Sequence, residues 1–381
     1  MFGGVAARGG LNPAVGGRWG RVNWTNQPNP DDIGVAVVGT GYWGPNLIRN
    51  FMASDRTWLH AVCDLDVDRA RQVVGRYTSV RVTADLAEIL ADPRIQAVAI
   101  ATPADTHYGI ARACLEAGKH VLVEKPIALA STDAERLVAL AAERGLTLMC
   151  DHTFCYTPTV RRIREDVASG ALGRIHYVDS VRINLGLIQR DADVFWDLLP
   201  HDLSILDSIL PAGIRPTAVS AHGVDPVGAG RACVGHVTMT LPGDAIAHVH
   251  VSWLSPVKVR TFVVGGSRRH AVWDDTNPAQ RLSIYERGVE VSGGLGRDDE
   301  RRLMVQYRSG DMLAPALPEA EALGGVVAEF AECIRTGRTP LTDGEAGLRV
   351  LRVLEAVDRS AHSDGALVAL DSATTTVGAR S

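Results

Sequence analysis

Ile33-Gly34-Val35-Ala36-Val37-Val38-Gly39-Thr40-Gly41-Tyr42-Trp43-Gly44 is an apolar, β-branched run that passes directly into three glycines. A run without polar alternation suits a strand buried on both faces of a parallel sheet. Gly39, Gly41 and Gly44 fit G-x-G-x-x-G. The first glycine permits a tight turn, the second admits a pyrophosphate to the backbone, and the third lets helix pack on strand. Thr40, Tyr42 and Trp43 complete this loop, and Pro45 suits the first turn of a following helix.

The fingerprint requires a second strand about 20 residues on, ending in an acid that accepts the ribose hydroxyls. Trp58 to Cys63 is that strand and Asp64 that acid. A carboxylate there repels a 2'-phosphate and no arginine follows immediately, so the expected cofactor is NAD rather than NADP. Arg69 and Arg71 lie farther along, on the next helix.

Ala97 to Thr102 is the next apolar strand. Ligands of a doubly wound sheet bind beyond the carboxyl ends of its strands, so Thr102, Pro103 and His107 are expected to border the nicotinamide half of the cofactor. A helix-start histidine with a structural hydrogen bond is the plainer reading of His107. A helix over Ala111 to Ala117 stops at Gly118, and the strand His120 to Glu124 brings Glu124 and Lys125 to the same crevice. Pro126 cannot donate to a sheet ladder, which ends the strand and leaves Lys125 at its mouth. Taken without the nucleotide motif, Lys125 reads as a strand-end lysine paired with Glu124.

The 381 residues exceed one ordinary core and divide into two domains. Residues 1–31 read as a flexible leader, 32–150 as a Rossmann domain, 151–370 as a substrate-binding and oligomerisation domain, and 371–381 as a flexible tail. The expected fold is an α/β Rossmann domain with a mostly parallel doubly wound sheet, followed by an α+β domain with an open, mostly antiparallel sheet. A net charge of -5 and a pI near 6.2 give no electrostatic footprint for nucleic acid or an anionic membrane. No apolar run approaches the length of a spanning helix or a signal peptide. The six cysteines, at 63, 114, 150, 155, 233 and 333, have no C-x-x-C spacing. Neither a metal site nor a disulfide framework is expected, and a cytoplasmic location fits.

After Thr147 to Cys150 and the crossing Asp151-His152-Thr153, strands follow one another: Ile175 to Ile183, Thr217 to Ala221, Ala232 to Leu241, Ala245 to Trp253, Arg260 to Val264 and Leu282 to Tyr285. Between the first two lies Phe195-Trp196-Asp197-Leu198-Leu199-Pro200-His201-Asp202, leading into a helix over Leu203 to Leu210. Pro200 in a first turn places His201 near the helix N-terminus, where the dipole favours neutral imidazole. Asp197 acts in the opposite direction while orienting the ring. Helix capping is the competing reading of Asp197 and Asp202.

These residues resemble the glucose-fructose oxidoreductase and inositol dehydrogenase family, called Gfo/Idh/MocA, over about Ile33 to Leu370. The most specific elements are Glu124-Lys125-Pro126 and the D-x-x-x-H of Asp197 and His201, after a fingerprint ending in Asp64. The resemblance implies that Lys125 and His201 act on a substrate hydroxyl and that Asp197 holds substrate or histidine. Asp191 to Trp196 lacks the glycine-rich stretch usual in inositol dehydrogenases. Val178 to Leu187, with Trp196-Asp197 and Pro200-His201-Asp202, resembles the branch acting on nucleotide-linked sugars, including 3-dehydrogenases and 3-ketoreductases.

The resulting expectation is hydride transfer between NAD and a hydroxyl or keto carbon, C3, of a nucleotide-linked sugar. Lys125, His201 and Asp197 are the catalytic candidates. Arg182, Asn184, Asp202, Lys258 and Arg260 are candidates for holding the sugar or an anionic handle. A redox-neutral epimerisation or elimination with bound NAD, an inositol dehydrogenase, or a non-catalytic sugar or NAD sensor are the alternatives. The resemblance implies a homodimer or homotetramer.

Overall fold

A computed structural model describes residue 29 and residues 31–75, 79–189, 192–292 and 304–370. The readings made for 1–31 and 371–381 fall almost entirely outside these. The first unit runs β1 (Ile33–Val38), α1 (Gly44–Ala53), β2 (Thr57–Cys63), α2 (Val67–Val74), β3 (Arg81–Thr83), α3 (Leu86–Ala91), β4 (Ala97–Ile100), α4 (Ala104–Glu116), β5 (His120–Glu124), α5 (Ser131–Arg144) and β6 (Leu148–Asp151). Its six strands are all parallel, in the order β3-β2-β1-β4-β5-β6. This is the doubly wound Rossmann order, whose crevice opens between β1 and β4. Every residue of β1 and β4 is buried, as their unbroken apolar sequence requires. α4 starts at Ala104, directly after Pro103, rather than at Ala111, because its polar first turns hide the apolar period.

A short 3-10 turn at Thr153–Tyr156 leads to α6 (Pro158–Ala168), β7 (Ile175–Leu185), α7 (Val194–Ile209), β8 (Ala218–Val224), β9 (Val234–Leu241), β10 (Ala245–Ser252), β11 (Leu254–Gly266), β12 (His270–Asp274) and β13 (Leu282–Tyr285). The hairpin β14 (Gly288–Ser292) and β15 (Met304–Arg308) follows, then β16 (Met312–Leu313), α8 (Ala322–Thr336), α9 (Gly344–Ala361) and β17 (Val368–Ala369). Nine strands form one sheet, β16-β13-β12-β11-β7-β10-β9-β8-β17. It is mostly antiparallel, but β7 and β10 pair in parallel because α7 and the β8–β9 hairpin intervene between them. One face carries Val178, Val237, Val249, Phe262 and Trp273 into a core shared with Leu199, Leu203 and Leu206 of α7.

Helices α8 and α9 return to the first unit. α8 packs Leu323, Val326 and Phe330 against Leu47 and Phe51 of α1. α9 sends Leu348 and Leu351 toward Ile127 and Leu137, and Val350, Val353 and Leu354 into the core beneath the second sheet. With each buried Leu, Val or Phe worth about 1.5–3 kcal/mol, this double attachment fixes α7 against the end of β5.

Candidate active site

The nucleotide turn has the geometry its glycines predict. Gly39 adopts φ +97°, and a Cβ there would lie 2.5 Å from the Ala101 carbonyl oxygen. A Cβ on Gly44 would lie 2.2 Å from the Gly39 carbonyl oxygen, whereas one on Gly41 would meet nothing within 4 Å. Turn, open approach and close packing thus fall on the first, second and third glycines. No side chain caps α1 at Trp43; Pro45 carries no N–H and Asn46 N donates to the Trp43 carbonyl at 2.9 Å, which leaves the Gly44 amide for an anion. Tyr42 is exposed and stacks on Trp43.

Asp64 stands at the end of β2 as expected. Its Oδ2 accepts from Thr40 N and Thr40 Oγ1, both at 2.6 Å, and its Oδ1 accepts from Asp66 N and Arg69 Nη2, both at 2.8 Å. Burial alone would raise this carboxyl, but the donors from Thr40, Asp66 and Arg69 hold it below the usual carboxylate range. Arg69 therefore sits at the ribose acid itself, with its Nε 3.2 Å from Thr40 Oγ1. The glycine cradle, the uncapped helix and the ionised acid fit a dinucleotide.

At the mouth of β5, Lys125 precedes Pro126 across a cis peptide bond. Its ammonium donates to the Asp197 carbonyl at 2.8 Å and lies 3.5 Å from Asp197 Oδ1. Trp253 Nε1 donates to Asp197 Oδ2 at 3.0 Å. Lys125 and Asp197, 72 positions apart, so meet at the junction of the two units. His201 lies one helical turn beyond Asp197. Its Nδ1 is enclosed without a hydrogen-bond partner, and Phe154 meets the ring edge-on at 5.0 Å. Burial, then the charges of Lys125 and Arg182, hold this imidazole well below its usual range. The site thus brings a fixed ammonium and a neutral imidazole together.

The expected route to a neutral His201 is corrected. α7 begins at Val194, capped by Asp193, which accepts from Phe195 N at 2.9 Å and Trp196 N at 3.0 Å. Pro200 is inside the 16-residue helix, so His201 is mid-helix and the N-terminal dipole does not hold it neutral. The cap is Asp193, not Asp197 or Asp202. Among the described residues no hydrogen bond joins Asp197 to His201, so Asp197 orients Lys125 rather than the ring.

Several other expected residues are engaged elsewhere. Arg182, 4% exposed, pairs with Asp202, 1% exposed, through Nε at 2.8 Å and Nη2 at 3.1 Å, and its guanidinium lies over Phe154 at 4.5 Å. That buried pair offers no free charge to a handle. The His107 ring nitrogens lie 2.7 Å from the Pro126 carbonyl and 2.9 Å from that of Thr102, a strut between two strand ends that leaves neither for a cofactor. The Thr102 hydroxyl accepts from Thr106 Oγ1 at 2.6 Å, and Pro103 is exposed at the crevice rim. Lys258 is exposed on β11. Arg260 faces Asp275 at 3.5 Å and Phe154, with its Nε enclosed and unpartnered. Asn184 is half-buried and makes no side-chain hydrogen bond among the described residues.

Four residues of the site escaped the sequence reading as site residues: Asp151, His152, Phe154 and Trp253. Asp151 ends the last parallel strand and His152 and Phe154 follow it, where the carboxyl-end rule applies as it does to Lys125. His152 is 2% exposed, and neither ring nitrogen has a hydrogen-bond partner. Burial pushes its pKa down to about 4, against the opposing pull of Asp207.

Fold and site together define an NAD-binding oxidoreductase. Residues 33–152 match the family model "Oxidoreductase family, NAD-binding Rossmann fold", and residues 160–272 match the GFO/IDH/MocA C-terminal domain. The chain belongs to the Gfo/Idh/MocA oxidoreductase family. It is 29% identical over 319 residues to the UDP-N-acetylglucosamine 3-dehydrogenase of Acidithiobacillus ferrooxidans, covering 83% of this chain and 93% of that one. D-apiose dehydrogenase of Paraburkholderia graminis is 25% identical over 357 residues, covering 88% and 89%. Among solved structures, GenD2 from gentamicin A biosynthesis, in complex with NAD, superposes with a TM-score of 0.73 at 29% identity, covering 90% of this chain and 97% of that one.

Proposed function

We propose that the chain oxidises a secondary hydroxyl of a nucleotide-linked sugar to the ketone, at C3. The observation that carries the chemistry is the junction of Lys125, Asp197 and His201 at the mouth of β5. When bound, NAD supplies the acceptor for the hydride of the reacting carbon. The loop at Gly39–Gly44 and Asp64 would hold it.

His201 receives the hydroxyl proton. Its neutrality follows from burial and from the flanking cations, so it accepts at neutral pH without first losing a proton of its own. Lys125 donates to the sugar oxygen, whose negative charge grows as the proton leaves. Two of its three N–H donors are directed by Asp197, which leaves the third for substrate. A fixed cation aimed at charge that develops only in the transition state raises turnover more than affinity. In the reverse direction the same groups return the proton to a 3-keto sugar.

The nucleotide-linked sugar and C3 position are supported by the similarity to UDP-N-acetylglucosamine 3-dehydrogenase across most of both chains. The myo-inositol 2-dehydrogenase of Thermotoga maritima is 25% identical over 181 residues, 46% of this chain and 54% of that one. The test is NADH formation with a panel of UDP- and dTDP-sugars, free sugars, sugar phosphates and inositols, run with NAD and NADP. Signal confined to one nucleotide sugar with NAD supports the reading, and signal with inositol or a free sugar alone overturns it.

A further inference from the structure

Lys125 follows a glutamate that lies, in the β5–β6 register, opposite an aspartate bonded to the nucleotide loop, an arrangement that the proposed proton handling does not use. β5 and β6 are parallel neighbours, and their register sets Glu124 opposite Asp151 at the carboxyl ends of both strands. Asp151 is 1% exposed. Its Oδ1 accepts from Thr153 Oγ1 at 2.8 Å, and its Oδ2 accepts from Trp43 Nε1 at 3.4 Å, from the residue that opens α1. Glu124 Oε2 accepts from the backbone N–H of Lys125 at 3.2 Å, while Glu124 Oε1 is enclosed without a partner that meets hydrogen-bond geometry.

Two facing carboxyl groups withdrawn from water do not both ionise, since each charge raises the proton affinity of the other. Burial and the Asp151 carboxylate push Glu124 well above the usual range, which places the shared proton on Glu124. A protonated Glu124 is a donor toward Asp151, and Asp151 stays an acceptor for Trp43 and Thr153. The line Trp43, Asp151, Glu124, Lys125 then joins the dinucleotide turn to the strand end that presents the ammonium.

We propose that Glu124 and Asp151 form a proton-sharing strut that holds Trp43 of the nucleotide loop in register with Lys125, making Asp151 a positioning residue for both cofactor seat and catalytic cation. The inference rests on the NAD-dehydrogenase reading.

The test is a double-mutant cycle on NAD affinity, measured by calorimetry on the full chain without sugar. Trp43→Phe keeps an aromatic ring while removing the N–H donor together with part of the indole, and Asp151→Ala removes its acceptor. Each is expected to weaken NAD binding about tenfold, the scale of one hydrogen bond to a charged group, and the double variant to be no weaker than either single one. Additive losses of about a hundredfold, or unchanged affinity in both singles, overturn the strut. Should Asp151→Ala not fold, Glu124 replaces it in the cycle. Glu124→Gln, which imitates the protonated acid, keeps the Trp43→Phe effect and restores most of the turnover that Glu124→Ala loses. If Glu124→Gln is as impaired as Glu124→Ala, the shared proton is wrong. Coupling in the NAD cycle alongside a wild-type chain that turns over no sugar would instead sink the functional reading and leave the strut standing.

Discussion

At the scale of single residues, the site depends on how Asp197 is held. Its Oδ2 is occupied by Trp253 Nε1, and its other oxygens face the Lys125 ammonium. Trp253→Phe removes that donor while preserving most of the buried ring, so Asp197 gains freedom to turn and Lys125 loses its direction. Turnover is expected to fall about tenfold with the sugar KM little changed, consistent with loss of one hydrogen bond to a charged group. A variant whose KM rises while kcat stays constant would show instead that Asp197 serves binding. His201 sets the pH profile. Because its proton affinity lies well below that of a free imidazole, the acidic limb of kcat/KM falls below pH 6.5 rather than at it.

At the scale of elements, the glycine turn separates fold from function. Gly41 faces open space and Gly44 touches the Gly39 carbonyl. Gly41→Ala is expected to melt within a few degrees of wild type yet lose NAD affinity, whereas Gly44→Ala loses stability as well. Calorimetry with thermal melts distinguishes them, and equal stability loss in both would contradict the assigned roles. Helix α7 shows why some of the site was hard to read. Pro200 announces a helix start to any reading of local signals, but Asp193 supplies the cap and the helix runs through the proline. Asp193→Ala is expected to cost about 1 kcal/mol, measured by urea unfolding.

β1, the turn and Asp64 were legible because each has a local pattern with one physical meaning. β3, only three residues long, carries no usable period. The parallel pairing of β7 with β10 and the Arg182–Asp202 pair are tertiary facts with no local mark. Lys125, Asp197 and His201 were legible as residue types with the right spacing. Their geometry was not, because it depends on α9 packing against both cores.

At the scale of the whole molecule, that packing also governs stability. α9 joins both cores, and its Arg349 binds Asp207 of α7 at 2.7 and 2.8 Å. Next to this pair, buried neutral His152 is a proton site that opens on unfolding. Its folded pKa is about 4, against about 6.5 for the free side chain, so below pH 6.5 the unfolded chain binds the proton first. Stability therefore falls as pH drops from about 6.5 to 4, with this residue contributing about 3 kcal/mol. A folded His152→Asn variant should show a flatter profile of urea midpoints over that window. An unchanged slope would place the acid sensitivity elsewhere.

The measurement that tests the central claim most directly compares wild type, Lys125→Ala and His201→Ala for turnover of the proposed nucleotide-sugar substrate, with NAD affinity determined in parallel. Both variants are predicted to bind NAD within a few-fold of wild type while kcat falls about 10²- to 10³-fold, the range for losing one preorganised charge or one proton acceptor. Near-normal turnover in either variant, with NAD still bound, would contradict the assignment of the proton to His201 and of the oxyanion to Lys125.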